Sequence, residues 1–200
     1  MNVAAPALVA LLAAIGCAGG GGVPGEALYD PISERLVMQP YPAAMPWKQV
    51  SDRHTRDGSL TVWIPASQDL ESARDLLRRR VVLRRGKLAA SELASELANG
   101  IAKDCGIARS DGPVRATEDG NDVACATVTC SRGQGSTHDA LVFLKVIRGH
   151  EALYVAEREF RRELDAAGLR EVNDYLARNV YLCPVTGGIG RCAHLPSAFE

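Results

Sequence analysis

The chain opens with an uncharged apolar run, residues 3–15, that leads into Ala14-Ile15-Gly16-Cys17, then Ala18 and four glycines. Thirteen residues are too few for a helix to cross a bilayer, which takes about 20. The run has the length and the small-residue ending of a secretory signal. That feature removes the start of the chain from any folded core. It also sends the rest into an oxidising compartment, where cysteines pair by default.

The same residues read as a bacterial lipoprotein signal, 1–16, with Cys17 the lipid-bearing first residue of the mature chain. The first charged residue is Glu26, so the usual basic start is missing, and Ala14 stands where such signals usually carry leucine. An ordinary secretory signal cut nearby is the competing reading. Residues 17–46 hold the glycine run with Pro24, Pro31, Pro40, Pro42 and Pro46. Prolines at that density argue against regular structure, and the stretch is expected to be a flexible tether. One domain is expected over 47–192, with 193–200 a C-terminal tail.

About 150 residues can bury a real core. A net charge of −1 gives no bias towards nucleic acid, and 5% aromatic residues leave little to stack bases on. Leu60-Thr61-Val62-Trp63-Ile64 is rich in β-formers, follows the turn Asp57-Gly58 and stops at Pro65. Residues 66–76 are polar, with room for a short helical turn. Residues 88–104 carry Ala90, Leu93, Ala94, Leu97, Ala98, Ile101 and Ala102 at helical spacing, with Gly106 as a left-handed cap. Strands follow over 114–117, 123–130, 140–147 and 152–160, with turns at Asp119-Gly120 and Arg148-Gly149. The 140–147 strand is apolar on both faces, so it belongs inside the sheet. A second helix is expected over about 166–179. The fold class is α+β: an antiparallel meander of about five to six strands flanked by two helices.

With Cys17 set aside, five cysteines remain. Cys125 and Cys130 are five residues apart on one strand, so they face opposite sides of the sheet. Cys105 ends the apolar stripe of the first helix and is expected to pair with Cys130. Cys183 and Cys192 bound a glycine-rich segment suited to a local clip. Cys125 is left as a free thiol, and no neighbouring spacing marks it as a nucleophile beside His138 or His150. His54, His138, His150 and His194 show no paired ligand spacing, so no metal and no cofactor is expected. Arg132-Gly133-Gln134-Gly135-Ser136 reads as a loop between strands.

Residues 78–87 are the electrostatic outlier, with six positive charges and no acid. Val81, Val82 and Leu83 favour a strand there, and its charge suggests a sheet edge protected against aggregation. The sharper reading is contact with an anion or with anionic headgroups through Arg78, Arg80, Arg84, Arg85 and Lys87.

From Leu60 to Cys192 the chain resembles a group of small proteobacterial lipoproteins of unknown function. The likeness is carried by Ile64-Pro65 and the polar stretch ending at Arg74, by a helix ending at Cys105, and by 121–130 closing on Cys130. It continues through Phe143-Leu144-Lys145-Val146-Ile147-Arg148-Gly149, Tyr154-Val155-Ala156-Glu157-Arg158 and the closing pair Cys183 and Cys192. It implies one antiparallel sheet with flanking helices. No catalytic residue is assigned in that group, so none carries over. The expected function is a non-enzymatic, lipid-anchored cell-envelope domain on the periplasmic side of a membrane, the outer membrane being favoured, with an unidentified envelope protein as partner. The alternative is a secreted domain that binds a small molecule or anion in a groove beside 78–87.

Overall fold

The computed structural model describes residues 33–38, 45–83, 85, 87–131, 139–184 and 192. The leader, Cys17 and the glycine run lie outside the described residues, as do Arg84, the loop 132–138 and most of the tail.

The chain enters through β1 (Glu34–Met38), which pairs antiparallel with the last strand, β9 (Val180–Pro184). The remaining strands are β2 (Trp47–Thr55), β3 (Gly58–Pro65), β4 (Asp75–Val82), β5 (Ile107–Glu118), β6 (Asn121–Ser131), β7 (Ala140–Arg148) and β8 (Leu153–Phe160). They form one antiparallel sheet in the order β2-β3-β4-β8-β7-β6-β5. It is therefore two meanders, β2-β3-β4 and β5-β6-β7-β8, joined where β4 pairs with β8. Helix α1 (Ala90–Lys103) links the meanders, and α2 (Ala166–Arg178) leads into β9.

The fold is α+β with two helices, and its sheet is larger than the expected five to six strands. Three strands escaped the sequence reading, β9 among them, since 180–184 was read only as the start of a cysteine-bounded segment. β1 occupies the short proline-free stretch between Pro31 and Pro40, inside the segment read as tether, and buries Leu36 and Met38. β2 is polar along most of its length and carries a bulge between Gln49 and Ser51. The strand expected at 114–117 is the second half of β5, which runs over 107–118.

α1 lays Ala90, Leu93, Ala94 and Ala98 on one sheet face, against Ala124, Ala126, Val128, Val142, Leu144 and Val155. Its first turn is held by Asp122 Oδ2, which accepts from the Ala90 N–H at 2.9 Å. The helix ends on Asp104 in right-handed backbone, and Gly106 is not among the left-handed glycines, Gly58, Gly112 and Gly120. The other face is covered by α2 and the β1–β9 ribbon, which enclose Trp63, Leu77, Phe143, Ile147, Tyr154, Val172 and Leu176.

Two buried cations cross-link this second face. Lys145 Nζ donates to the carbonyls of Leu176 and Val180 at 2.7 and 2.9 Å and pairs with Glu118 Oε2 at 2.6 Å. Arg158 makes a two-pronged pair with Asp75, Nε to Oδ1 at 2.8 Å and Nη2 to Oδ2 at 2.7 Å. Its guanidinium lies over the Trp47 ring at 4.8 Å and near the Tyr175 ring at 5.7 Å.

Candidate functional site

The basic strand is β4, and it is internal. It pairs with β3 on one side and β8 on the other, so the expectation of an edge strand is corrected. Charge density suggested an edge because the neutralising acids are remote in sequence. Arg78 donates to Glu157 Oε1, and to Glu159 Oε2 at 2.6 Å, on the neighbouring strand. Burial alone would raise the Glu159 carboxyl pKa, but Arg78 and Arg161 outweigh it and hold it below the ordinary carboxylate range. A guanidinium whose charge is matched by two carboxylates is a structural tie between β4 and β8.

The other cations of 78–87 divide by position. Arg79 faces the opposite side of the sheet, over the Trp63 ring at 5.3 Å. Arg85 forks onto Glu96 of α1, at 2.7 and 3.0 Å. Lys87 is exposed. Arg84 lies outside the described residues.

Arg80 is different. On the α1 face, strand register sets Arg53, Leu60, Arg80 and Val155 in one row across β2, β3, β4 and β8. The next row is Thr55, Gly58, Val82 and Leu153. Arg53 and Arg80 therefore flank Leu60, two strand spacings apart, or about 9–10 Å. Together with Thr55, Asp57, Gly58, Ser59, Leu60, Val81 and Val82 they line a cleft of about 290 Å³ at the end of the sheet. Neither arginine makes an ion pair among the described residues, whereas Arg78, one row away, has two carboxylates.

Two local features build this cleft. The bulge at Val50 inserts one residue into β2, and a one-residue shift exchanges the faces of every side chain beyond it. After the bulge, Asp52 and His54 point to the α2 face and Arg53 to the α1 face. Asp52 then accepts from Thr61 Oγ1 at 3.1 Å and sits 3.2 Å from His54 Nε2. The second feature is Gly58, at φ +145°, where a Cβ would overlap the Val81 carbonyl. Glycine there lets β3 close on β4 and leaves the position between Thr55 and Val82 without a side chain. The sequence reading found Arg80 by its charge but missed Arg53, because only the bulge and the register bring them together.

The cysteines occupy both faces. Cys105 is joined to Cys130, with Cα atoms 5.4 Å apart, tying the end of α1 to β6. Cys183 is joined to Cys192 at a Cα separation of 5.7 Å. Cys125 is a free thiol on the α2 face, opposite Lys145 in the β6–β7 register. Burial pushes its pKa up despite the nearby ammonium of Lys145, so the nucleophilic thiolate is disfavoured. His54 and His150 lie at separate points of the structure, while His138 and His194 lie outside the described residues. Among the described residues, no three His, Cys, Asp or Glu side chains gather as a metal site would require. No described helix is long and apolar enough to cross a membrane.

No protein-family model matches the chain, and no curated protein matches it. Among solved structures, it is similar to cyanobacterial PsbP (CyanoP) from Synechocystis sp. PCC 6803, at 14% identity and a TM-score of 0.48, over 84% of this chain and 98% of that one. It is also similar to LpqN, involved in cell envelope biogenesis of Mycobacterium tuberculosis, at 14% identity and a TM-score of 0.38, over 78% of this chain and 88% of that one. At this identity and overlap, nothing about the activity of this chain follows from either.

Proposed function

We propose that this chain is a non-enzymatic cell-envelope domain, lipid-anchored through Cys17, whose Arg53–Arg80 cleft binds an anionic ligand. The observation that carries the reading is the contrast on one sheet face. Arg78 is neutralised by two carboxylates, while Arg53 and Arg80 flank Leu60 and make no ion pair among the described residues, in a cleft that Asp57 also lines. A guanidinium pair of that spacing suits an anion with some apolar body, because charge-assisted hydrogen bonds to Arg are strong and directional. The leader and Cys17 support export and anchoring, as does the resemblance of 60–192 to small proteobacterial lipoproteins.

Each half of the reading has its own test. Titration of the full chain with a soluble organic phosphate, followed by amide chemical shifts, is expected to move Arg53, Leu60 and Val82. Arg53→Glu with Arg80→Glu is expected to weaken that binding at least tenfold, from the loss of two charged hydrogen bonds at about 1.5–3 kcal/mol each. Unchanged affinity would remove the cleft. For the anchor, metabolic labelling with a palmitate analogue is expected to mark the wild-type chain and leave Cys17→Ala unmarked. Equal labelling of the two would sink lipidation at Cys17.

A further inference from the structure

We infer that the cleft-bearing end of the sheet docks on an anionic phospholipid bilayer, with a headgroup phosphate held between Arg53 and Arg80. This rests on the cleft reading above and names its ligand. The first observation is where the chain enters. The Ser33 N–H donates to Glu151 Oε2 at 3.0 Å, and the His150 N–H donates to Glu34 Oε2 at 2.8 Å. Glu151 and His150 form the β7–β8 turn, beside the row Thr55, Gly58, Val82 and Leu153 that closes the cleft. Entry point and cleft therefore share one end of the sheet, although the β1–β9 ribbon lies on the other face. A lipid on Cys17 keeps Ser33 within about 55 Å of the membrane even if all intervening residues are extended.

The second observation is charge. At this end Arg53 and Arg80 have no partner among the described residues, and Lys87 is exposed beyond β4. The acids at this end are Asp57, which lines the cleft and lies 3.6 Å from Arg56, and Glu151 and Asp122, which accept from the Ser33 and Ala90 N–H groups. The third is size. A cleft of about 290 Å³ stands at the small end of ligand sites, which run from about 300 Å³ upward. That suits a headgroup better than a whole lipid. Leu60 and Val82 give the glycerol side of the headgroup an apolar floor.

The test uses the full chain carrying Cys17→Ser, so that no covalent lipid contributes. Co-sedimentation is measured with vesicles containing phosphatidylglycerol and with vesicles of phosphatidylcholine alone. A surface arginine near anionic lipid is worth about fivefold in binding. Arg53→Gln and Arg80→Gln are each expected to weaken phosphatidylglycerol binding about fivefold, and about thirtyfold together, leaving phosphatidylcholine binding unchanged. Arg109→Gln with Arg115→Gln on β5, at the far edge of the sheet, removes equal charge and is expected to change nothing. Vesicle binding that ignores the cleft variants, or that falls equally with the β5 pair, overturns the inference. A parallel titration with glycerol 1-phosphate separates the two readings. If the cleft variants lose glycerol phosphate but keep vesicle binding, the membrane inference falls and the anion cleft stands. If they lose neither, both fall.

Discussion

Lys145 shows how much one side chain can hold here. Its side chain is 1% exposed, on a strand whose neighbours are apolar. Its ammonium gathers Glu118, the Leu176 carbonyl near the end of α2 and the Val180 carbonyl at the start of β9. A cation at a helix C-terminus is favourable because the last carbonyls are unpaired and carry partial negative charge. Removing it leaves a carboxylate and two buried acceptors without their donor. Lys145→Met is expected to lower stability by about 3–5 kcal/mol in urea unfolding. A loss under about 1 kcal/mol, the range of a surface pair, would mean that water replaces the ammonium at little cost. Nothing local marks this role, since Phe143-Leu144-Lys145-Val146-Ile147 says only that a lysine interrupts an apolar strand. What lies above it is decided by α2, about thirty residues later. The facing of Cys125 and Cys130 was legible, because alternation along a strand needs no tertiary information.

Elements were legible where their pattern closes on itself. α1 and α2 carry a complete apolar stripe within one segment, and both stand within two residues of the expected bounds. The β5–β6 hairpin was readable from Asp119-Gly120, which adopt φ +50° and +83° as a two-residue turn of this kind requires. β4 was legible as a strand but not by its place in the sheet. Its charges looked like edge protection, yet the acids that neutralise Arg78 stand 79 and 81 residues away. A central strand can carry charge wherever its neighbour supplies the counter-charge in register. The candidate site was half legible for the same reason. Arg80 stood out within a basic run, whereas Arg53 becomes its partner only through the bulge at Val50 and the β2–β3–β4 register. Gly106 shows the opposite failure: a local cap signal overridden because α1 closes through Asp104 and the bond from Cys105 to β6.

The molecule depends as a whole on one seam, the β4–β8 pairing that joins two three- and four-stranded meanders. Both faces of the seam carry an ion pair. On the α1 face Arg78 of β4 reaches Glu157 and Glu159 of β8, and on the α2 face Arg158 of β8 reaches Asp75 of β4. The Asp75–Arg158 pair is the deeper one, with the arginine side chain 1% exposed. Buried pairs of this kind add little over an apolar replacement, but losing one member strands a charge. Arg158→Met is therefore expected to lose about 3–5 kcal/mol, a large share of the 5–15 kcal/mol that holds a typical domain. Both meanders should lose stability together, because neither has another long partner across the seam. Arg158→Met with Asp75→Leu is expected to recover most of that loss, since no charge is left behind. Urea unfolding of the wild type, both single variants and the double variant gives the coupling directly. A double variant as unstable as the sum of the singles would show that the seam is held by packing around Trp47, Phe160 and Tyr175, and not by charge.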